Sequence, residues 1–471
     1  MALTRRFFLG SCASLAAVSG CRSFGIVKGA PRLKLGVLSD IHLNYPGDED
    51  TFLAALEYFR SRRVDGVIIA GDIADQGRVS ELKRCADVWF KVFPDGKYAD
   101  GKICEQLFVY GNHCILGCDW GCNKDLPDEE LLGRGDTRKI AWEKFFHEEY
   151  QPIWLKTVNG CPIVGAHWVQ HANWRCSWDD GAVTEFLEAH RSAIDPSLPF
   201  VYTQHSHPKD TCFGPWAWGH DHGAVTDVLS KYPNAVAFSG HSHYSLTDER
   251  SVWQGAFTSI NTSSLRYVST EYSMRENGIP NSSGYKDIPG RKRVMDRLPV
   301  KDGRQGMVVS FHDREIVVER FDFVGMRRLG PDWSVPFPAG REDYSFGVRS
   351  SRRSAPEFSA DATVAVETRE KDGRRFADVR FMAAESVDGC RPFDYEVSAI
   401  LVEDDFDLVQ AQRRVLDAGY YMPESAPVRE TVCTFDLAEL PRKGHYRFAV
   451  RPIECFGKKG RPIMSGLFDL V

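Results

Sequence analysis

Short apolar runs that stop abruptly on polar residues punctuate the first half of the chain. Leu33 to Ser39, Val67 to Ala70, Leu107 to Tyr110, Phe200 to Thr203 and Ala235 to Phe238 are too short for buried helices and read as strands. Between the first three lie two helical patterns. One, with Asp50 or Thr51 as its cap, places Phe52, Leu53, Leu56 and Phe59 at helical spacing and ends near Arg62; the other runs from about Val79 to Val92. This β-α-β-α-β alternation predicts a mostly parallel layer. Asn159-Gly160, between Trp154 to Val158 and Cys161 to Ala166, predicts a hairpin with a type I′ turn. Gln254 to Ser263 reads as strand and turn. Gly306 to Phe311 and Glu315 to Phe323 alternate around His312-Asp313-Arg314 and predict a hairpin that closes a second sheet.

Pro, Gly, Ser and Arg become frequent between 331 and 354, which predicts a linker. From 355 to 471 the pattern changes to alternating strands: Thr363 to Val366, Ala377 to Phe381, Tyr395 to Leu401, Thr431 to Phe435 and Tyr446 to Arg451. A small all-β sandwich follows from that pattern. Its Tyr446-Arg447-Phe448-Ala449-Val450 and Glu454-Cys455-Phe456-Gly457 resemble the late strand and loop of a fibronectin type III module, although the early-strand tryptophan usual there is missing. No catalytic cluster falls in this region, so its expected role is that of a spacer or docking module.

The polar residues that terminate the apolar runs carry the chemistry. In chain order they are Asp40-Ile41-His42, Gly71-Asp72-Ile73-Ala74-Asp75, Gly111-Asn112-His113, Gln204-His205-Ser206-His207 and Ser239-Gly240-His241-Ser242-His243-Tyr244. Ligands of open α/β sheets gather outside the carboxyl ends of the strands, so these blocks are expected to converge. Carboxylate, amide and imidazole together suit Mn, Fe or Zn.

The series D-x-H, G-D-x-x-D, G-N-H, a lone His and G-H-x-H resembles the calcineurin-like metallophosphoesterase family and frames roughly residues 33 to 325, within a domain placed at 31–330. The resemblance implies an α/β metallophosphoesterase fold, a two-layered β-sandwich flanked by helices. It implies two metal ions, one held by Asp40, His42, Asp72 and His243 and the other by Asp72, Asn112, His205 and His241. Asp72 is the expected bridge, because one carboxylate can give an oxygen to each ion. His113 matches the family's substrate-contacting histidine, with the task of stabilising the phosphoryl oxygens or protonating the leaving oxygen, and Asp75 is expected to orient it. His205 is preferred to His207 as ligand because it comes first after the strand. Three departures narrow the reading: Cys114 stands where an acidic residue often follows G-N-H, Gln76 stands where protein phosphatases have Arg, and no tyrosine falls near Asp75, which disfavours a tyrosinate-iron pair.

The implied function is metal-dependent hydrolysis of a small phosphate ester, monoester and diester both open. The alternative is a catalytically silent metal-binding or adhesion lipoprotein. Residues 114 to 198 read as an insertion, either a capping subdomain or an aromatic substrate wall, with Trp168, Trp174, Trp178, His167 and His171 crowded together. Cys114, Cys118 and Cys122 could mark a soft-metal site, but Gly117 and Gly121 oppose the helix it would need, and buried thiols or one local disulfide are the preferred reading. Residues 266 to 303 read as a flap loop, with Arg266, Arg275 and Arg291-Lys292-Arg293 available to meet phosphate.

A chain of 471 residues, 43% hydrophobic, can bury a large core, and its formal net charge of −6 disfavours binding of a nucleic-acid backbone as the main task. Thr4-Arg5-Arg6-Phe7-Phe8-Leu9-Gly10 resembles a twin-arginine export signal, and Val18-Ser19-Gly20-Cys21 a lipoprotein processing site. Residues 1–20 are therefore expected to be removed and Cys21 to carry lipid, in the periplasm or at the cell surface. Of 13 cysteines, the loss of Cys12 with the signal and the lipidation of Cys21 leave an odd number, which cannot all pair. Nothing in the sequence sets the oligomeric state.

Overall fold

The computed structural model describes residues 29–116, 125–133, 137–169, 181–215, 217–269, 303–403, 406–417, 419–423 and 429–470, with the backbone of 275–276 and 279–280. The expected signal at 1–20, Cys21, Cys118, Cys122, His171, Trp174, Trp178, Arg291-Lys292-Arg293 and most of the expected flap lie outside these residues. Among the described residues no helix is long and apolar enough to cross a membrane.

Strands β1 (Leu33–Leu38), β2 (Gly66–Ala70) and β3 (Glu105–Val109) are parallel neighbours, joined by helices α1 (Asp48–Arg62) and α2 (Val79–Val92). The second helix has the predicted bounds, whereas α1 begins two residues before the expected cap, on Gly47 in the left-handed region and with no side-chain cap. Three acidic residues, Asp48, Glu49 and Asp50, fill its first turn and face the positive end of the helix dipole. After β3 come α3 (Asn112–Leu116), α4 (Thr137–Phe146) and the hairpin β4 (Ile153–Val158) and β5 (Cys161–Ala166), whose Asn159 and Gly160 both have positive φ, as a type I′ turn requires.

Residues 114–198 were expected to form an insertion. Instead the hairpin builds the fold itself. β5 pairs in parallel with β6 (Phe200–Thr203), which pairs with β7 (Ala235–Ser239), and the second sheet closes with β8 (Val252–Gln254) and β9 (Thr258–Asn261) in the order β4-β5-β6-β7-β9-β8. Helices α5 (Ala182–Ala189) and α6 (Ala224–Leu229) precede β6 and β7. A short ladder, β10 (Arg275–Glu276) with β11 (Ile279–Pro280), precedes the hairpin β12 (Gln305–Phe311) and β13 (Glu315–Asp322). That hairpin was expected to close a second sheet, but β12 runs antiparallel to β1 and so extends the first. The first sheet ends with β14 (Arg327–Arg328) and β15 (Trp333–Pro336), both on β13. The expected linker at 331–354 therefore holds a strand, and also helix α7 (Phe346–Ser351), rather than loose chain.

Side-chain alternation explains the layering. Leu33, Leu35 and Val37 of β1, with Ile68, Leu107 and Val109, meet Ile163, Val201, Val236, Phe238 and Ile260 of the second sheet in one apolar layer. Leu38, Val67, Ile69 and Phe108 point the other way, onto Phe52, Leu56 and Phe59 of α1 and Leu82 and Trp89 of α2. Val164, Tyr202 and Ala237 do the same toward α5 and α6. The result is an α/β fold with two face-to-face sheets flanked by helices.

The C-terminal region is a small β-sandwich with its own core. β16 (Val364–Lys371), β17 (Arg374–Met382) and β20 (Glu430–Asp436) form one sheet; β18 (Pro392–Val402), β19 (Asp407–Leu416), β21 (Gly444–Glu454), β22 (Ile463–Met464) and β23 (Phe468–Leu470) form the other. Phe381 against Tyr395, at 4.7 Å between ring centres, and Phe435 against Phe448, at 5.2 Å, lock the sheets together.

Candidate metal centre

The five sequence blocks meet where β1, β2, β3, β6 and β7 end. Asp40 N–H still bonds to Gly71 O and His42 N–H to Asp72 O, so the pairing of β1 and β2 persists past the strands and sets the first two blocks side by side. Gly240 N–H bonds to His205 O and ties the fifth block to the fourth. Asp40, His42, Asp72, His241 and His243 all have positive φ, which turns each side chain inward at a cost in backbone strain. Two glycines permit the close approach. A Cβ on Gly111 would lie 2.2 Å from Asp72 Oδ1, and one on Gly240 would lie 2.3 Å from Asp40 Oδ2.

Three of the imidazoles have one nitrogen fixed by an acceptor, which leaves the other pointing inward. His205 Nδ1–H donates to Ala70 O at 2.8 Å, His243 Nδ1–H to Tyr267 O at 3.0 Å, and His42 Nδ1–H to Asp75 Oδ1 at 3.0 Å. The inward nitrogens then carry lone pairs, and they face other lone pairs. His243 Nε2 is 2.9 Å from Asp40 Oδ1 and 3.3 Å from His42 Nε2, while His205 Nε2 is 3.1 Å from Asp72 Oδ2 and from His241 Nδ1. Asp40 Oδ1 and Asn112 Oδ1 are buried without a hydrogen-bond donor. A buried set of acceptors arranged this way calls for cations, and carboxylate, amide and imidazole are the donors that first-row metals take. Asp40, His42 and His243 form one group with metal-ligating spacing, and Asp72, His205 and His241 form another. The residues fit a metal pair.

The electrostatics agree. Burial alone would push Asp40 and Asp72 up, but the imidazoles around them, His243 and His205 for Asp40, His205 and His113 for Asp72, hold both carboxyls well below the usual range. Burial opposes protonation of His42, yet its contacts with Asp40 and Asp75 raise it to about 10. The same negative field would hold a metal in place of that proton. Burial and the neighbouring His205 push His241 down to about 3.

Six of the seven expected ligands come together in the two groups, and the seventh, Asn112, is buried with its Oδ1 without a donor. Asp72 joins them differently from expectation: Oδ2 lies 3.1 Å from His205 Nε2 and 3.6 Å from His42 Nε2, while Oδ1 accepts the His113 N–H at 2.8 Å. One oxygen, rather than one for each ion, faces both groups. Asp75 also differs. Its carboxylate orients His42, aided by Asn44 and Gln76, and lies 3.9 Å from His113 Nδ1; its backbone carbonyl, at 2.9 Å, is what holds His113. The bridge between Leu43 and Ala74 explains this, because it sets the Asp75 carboxylate against the His42 ring and turns its carbonyl toward α3. His207 is not among the grouped residues: its two nitrogens meet Ser239 Oγ at 2.7 Å and Ser242 Oγ at 2.8 Å, so it braces the loop that carries His241 and His243.

The pattern of the chain missed the rings around the site. Trp218 is 52% exposed and stacks on His241 at 4.5 Å, and Tyr267, 42% exposed, lies 4.3 Å from His243. Trp168, flagged as core or substrate wall, is buried beside His205 and His241 at 6.1 and 5.9 Å. His167 is buried structure, its Nδ1 accepting the Tyr110 N–H at 3.0 Å. Cys114 is buried and its thiol is pushed up to about 12 by burial, which holds it as the neutral thiol. The eight described cysteines are all buried.

A family model described as calcineurin-like phosphoesterase matches residues 33–245, which include every expected ligand. Residues 33–245 form a calcineurin-like metallophosphoesterase domain. No curated protein matches the chain significantly. Solved structures similar to it include a dimetal phosphatase of Danio rerio, 11% identical over 65% of this chain and 99% of that one, with a TM-score of 0.39. The purple acid phosphatase PPD1 of yellow lupin (Lupinus luteus) is 11% identical over 66% and 55%, with a TM-score of 0.38. GAP50, the anchor in the inner membrane complex of Plasmodium, is 14% identical over 68% and 93%, with a TM-score of 0.37. In this metallophosphoesterase domain the candidate site residues lie just past the strand ends, Asn112 and His113 at the start of α3.

Proposed function

We propose that the protein hydrolyses phosphodiesters at a dinuclear metal centre outside the cytoplasmic membrane. The observation that carries the reading is the pair of ligand groups facing Asp72 Oδ2, with the His42, His205 and His243 imidazoles each locked with a lone pair inward. Asp40, His42, Asp72 and His243 would hold one ion; Asp72, Asn112, His205 and His241 would hold the other. Bound there, two divalent or trivalent ions of Mn, Fe or Zn supply positive charge to the phosphoryl oxygens and acidify the attacking water. Asp75 keeps His42 in the tautomer that offers Nε2, and Ala70 and Tyr267 do the same for His205 and His243. His113 has its Nδ1–H on the Asp75 carbonyl; burial disfavours its charged form, so its proposed task of donating from Nε2 to a phosphoryl or leaving oxygen requires it to gain a proton as the substrate's charge arrives.

Two features of the described surroundings support a diester over a monoester. A monoester carries one more charged oxygen and needs a cation aimed at it. Arg266, the described arginine of the expected flap with a placed side chain, is instead committed to Asp48 and the Tyr45 ring. Trp218 and Tyr267 lie against different histidines of the same loop, which suits two ester arms with flat or apolar groups. The metal-reconstituted mature chain is expected to turn over bis-p-nitrophenyl phosphate faster than p-nitrophenyl phosphate. The reverse preference would overturn the diester assignment, and no turnover of either by the folded, metal-loaded protein would favour the silent surface-protein alternative.

Export and anchoring belong to the same proposal and rest on Arg5-Arg6 and the segment ending in Cys21. Labelled fatty acid is expected to enter the protein and to be lost in Cys21→Ser; equal labelling of both would remove the anchor. The C-terminal sandwich is read as fibronectin type III-like, supported by its three-stranded sheet β16-β17-β20 facing β19-β18-β21-β22.

A further inference from the structure

The expected role of the C-terminal sandwich as a spacer conflicts with what it touches. His243 is held on two sides by the segment Tyr267 to Ser269. Its Nδ1–H donates to Tyr267 O at 3.0 Å, its carbonyl accepts the Ser269 N–H at 2.7 Å, and Tyr244 forms a bridge with Ser269. Between those two residues stands Val268, 1% exposed, and its side chain packs into the core of the C-terminal sandwich, with Tyr395, Tyr420 and Phe393 in the same cluster. The strap that orients a candidate ligand is therefore pinned by the other domain.

The chain between His243 and that strap is pinned as well. Asp248, Glu249 and Arg250 follow His243 closely, and the Arg250 guanidinium lies 4.4 Å from the Phe393 ring of β18. Glu249 takes ion pairs from Arg349 and Arg353, and Ser350 Oγ donates to Glu454 Oε1 of β21 at 2.9 Å, so α7 ties this segment to the sandwich. Two segments that follow the His241–His243 loop, around Glu249-Arg250 and at Val268, thus end in contacts with the C-terminal domain.

We propose that the C-terminal sandwich is a working part of the metal centre, and that Val268 is a positioning residue through which it fixes the His243 imidazole. Docking of the sandwich then controls occupancy of the metal position formed by Asp40, His42 and His243, while the position formed by Asp72, Asn112, His205 and His241 is left largely independent. This inference rests on the dinuclear reading above. A ligand imidazole that loses its outer partner typically binds metal roughly 10- to 100-fold more weakly, and release of the strap is expected to fall in that range.

The test uses the full mature chain carrying Val268→Ala, Val268→Ile or Glu249→Gln, loaded with Co(II) and followed by absorption and by metal content after dialysis. In the wild type two ions are expected. Val268→Ala is expected to keep one tightly and to lose the other with about tenfold weaker affinity, lowering kcat more than it raises KM; Val268→Ile is expected to restore both. Glu249→Gln, which leaves both cores intact, is expected to shift the same ion in the same direction and guards against a folding defect in Val268→Ala. Two ions of unchanged affinity in both Val268→Ala and Glu249→Gln would overturn the inference, as would equal weakening of both ions. A wild type that binds no metal would instead defeat the dinuclear reading itself.

Discussion

Asp72→Asn is expected to abolish turnover and to empty both metal positions at once. Asp72 Oδ2 faces His205 Nε2 at 3.1 Å and His42 Nε2 at 3.6 Å, so one oxygen serves both groups. The amide is nearly the same size, so the backbone contacts around it should survive. What it removes is the negative charge that two cations need between them, a contribution of several kcal/mol, or on the order of 10³-fold or more in rate. Metal content and hydrolysis of bis-p-nitrophenyl phosphate, measured together, check it. His113→Gln supplies the contrast: it should keep both ions and lose about 10²- to 10³-fold, the usual effect of removing one donor to the developing charge. Two tightly held ions and normal turnover in Asp72→Asn would exclude the shared-oxygen arrangement.

The convergence of the site was legible because strand ends announce themselves. An apolar run that stops on Asp, Asn or His fixes both the strand and the direction of its ligands, and α2 has the bounds that its helical period predicts. What the chain pattern did not carry is set by tertiary contacts. The hairpin Gln305–Phe311 with Glu315–Asp322 was visible as a hairpin, but its attachment to β1 depends on a partner far away in sequence. Strand β19 was missed because it is an edge strand in which five of the ten residues are polar and the apolar ones do not alternate cleanly. Val268 is a single apolar residue in a polar loop, and one residue has no periodicity to betray which core it enters. Trp218 stands in a loop as well, and only its stacking on His241 separates it from an ordinary surface aromatic.

Arg250→Met is expected to cost about 3–5 kcal/mol of stability, although it lies outside the ligand set. Arg250 is 1% exposed, and its Nε and Nη2 meet both oxygens of Asp248, itself 2% exposed, at 2.9, 3.2 and 2.6 Å. Methionine would fill much of the same volume. It would leave the buried Asp248 carboxylate without its counter-charge, and it would give up the contact with the Phe393 ring, worth up to about 2 kcal/mol when desolvated. The double variant Asp248→Asn with Arg250→Met should recover a large part of that loss, because the cost lies in the uncompensated charge more than in the absent pair. Urea unfolding of the full chain, followed by separate probes in the two domains, measures both effects; two domains do not guarantee a single transition, so the probes are read apart. A single-variant loss below about 1 kcal/mol would mean that water reaches the carboxylate and screens it, as at an exposed ion pair. The expected loss, with the two transitions drifting apart, would instead place the pair at the joint through which the sandwich and the metallophosphoesterase domain unfold together.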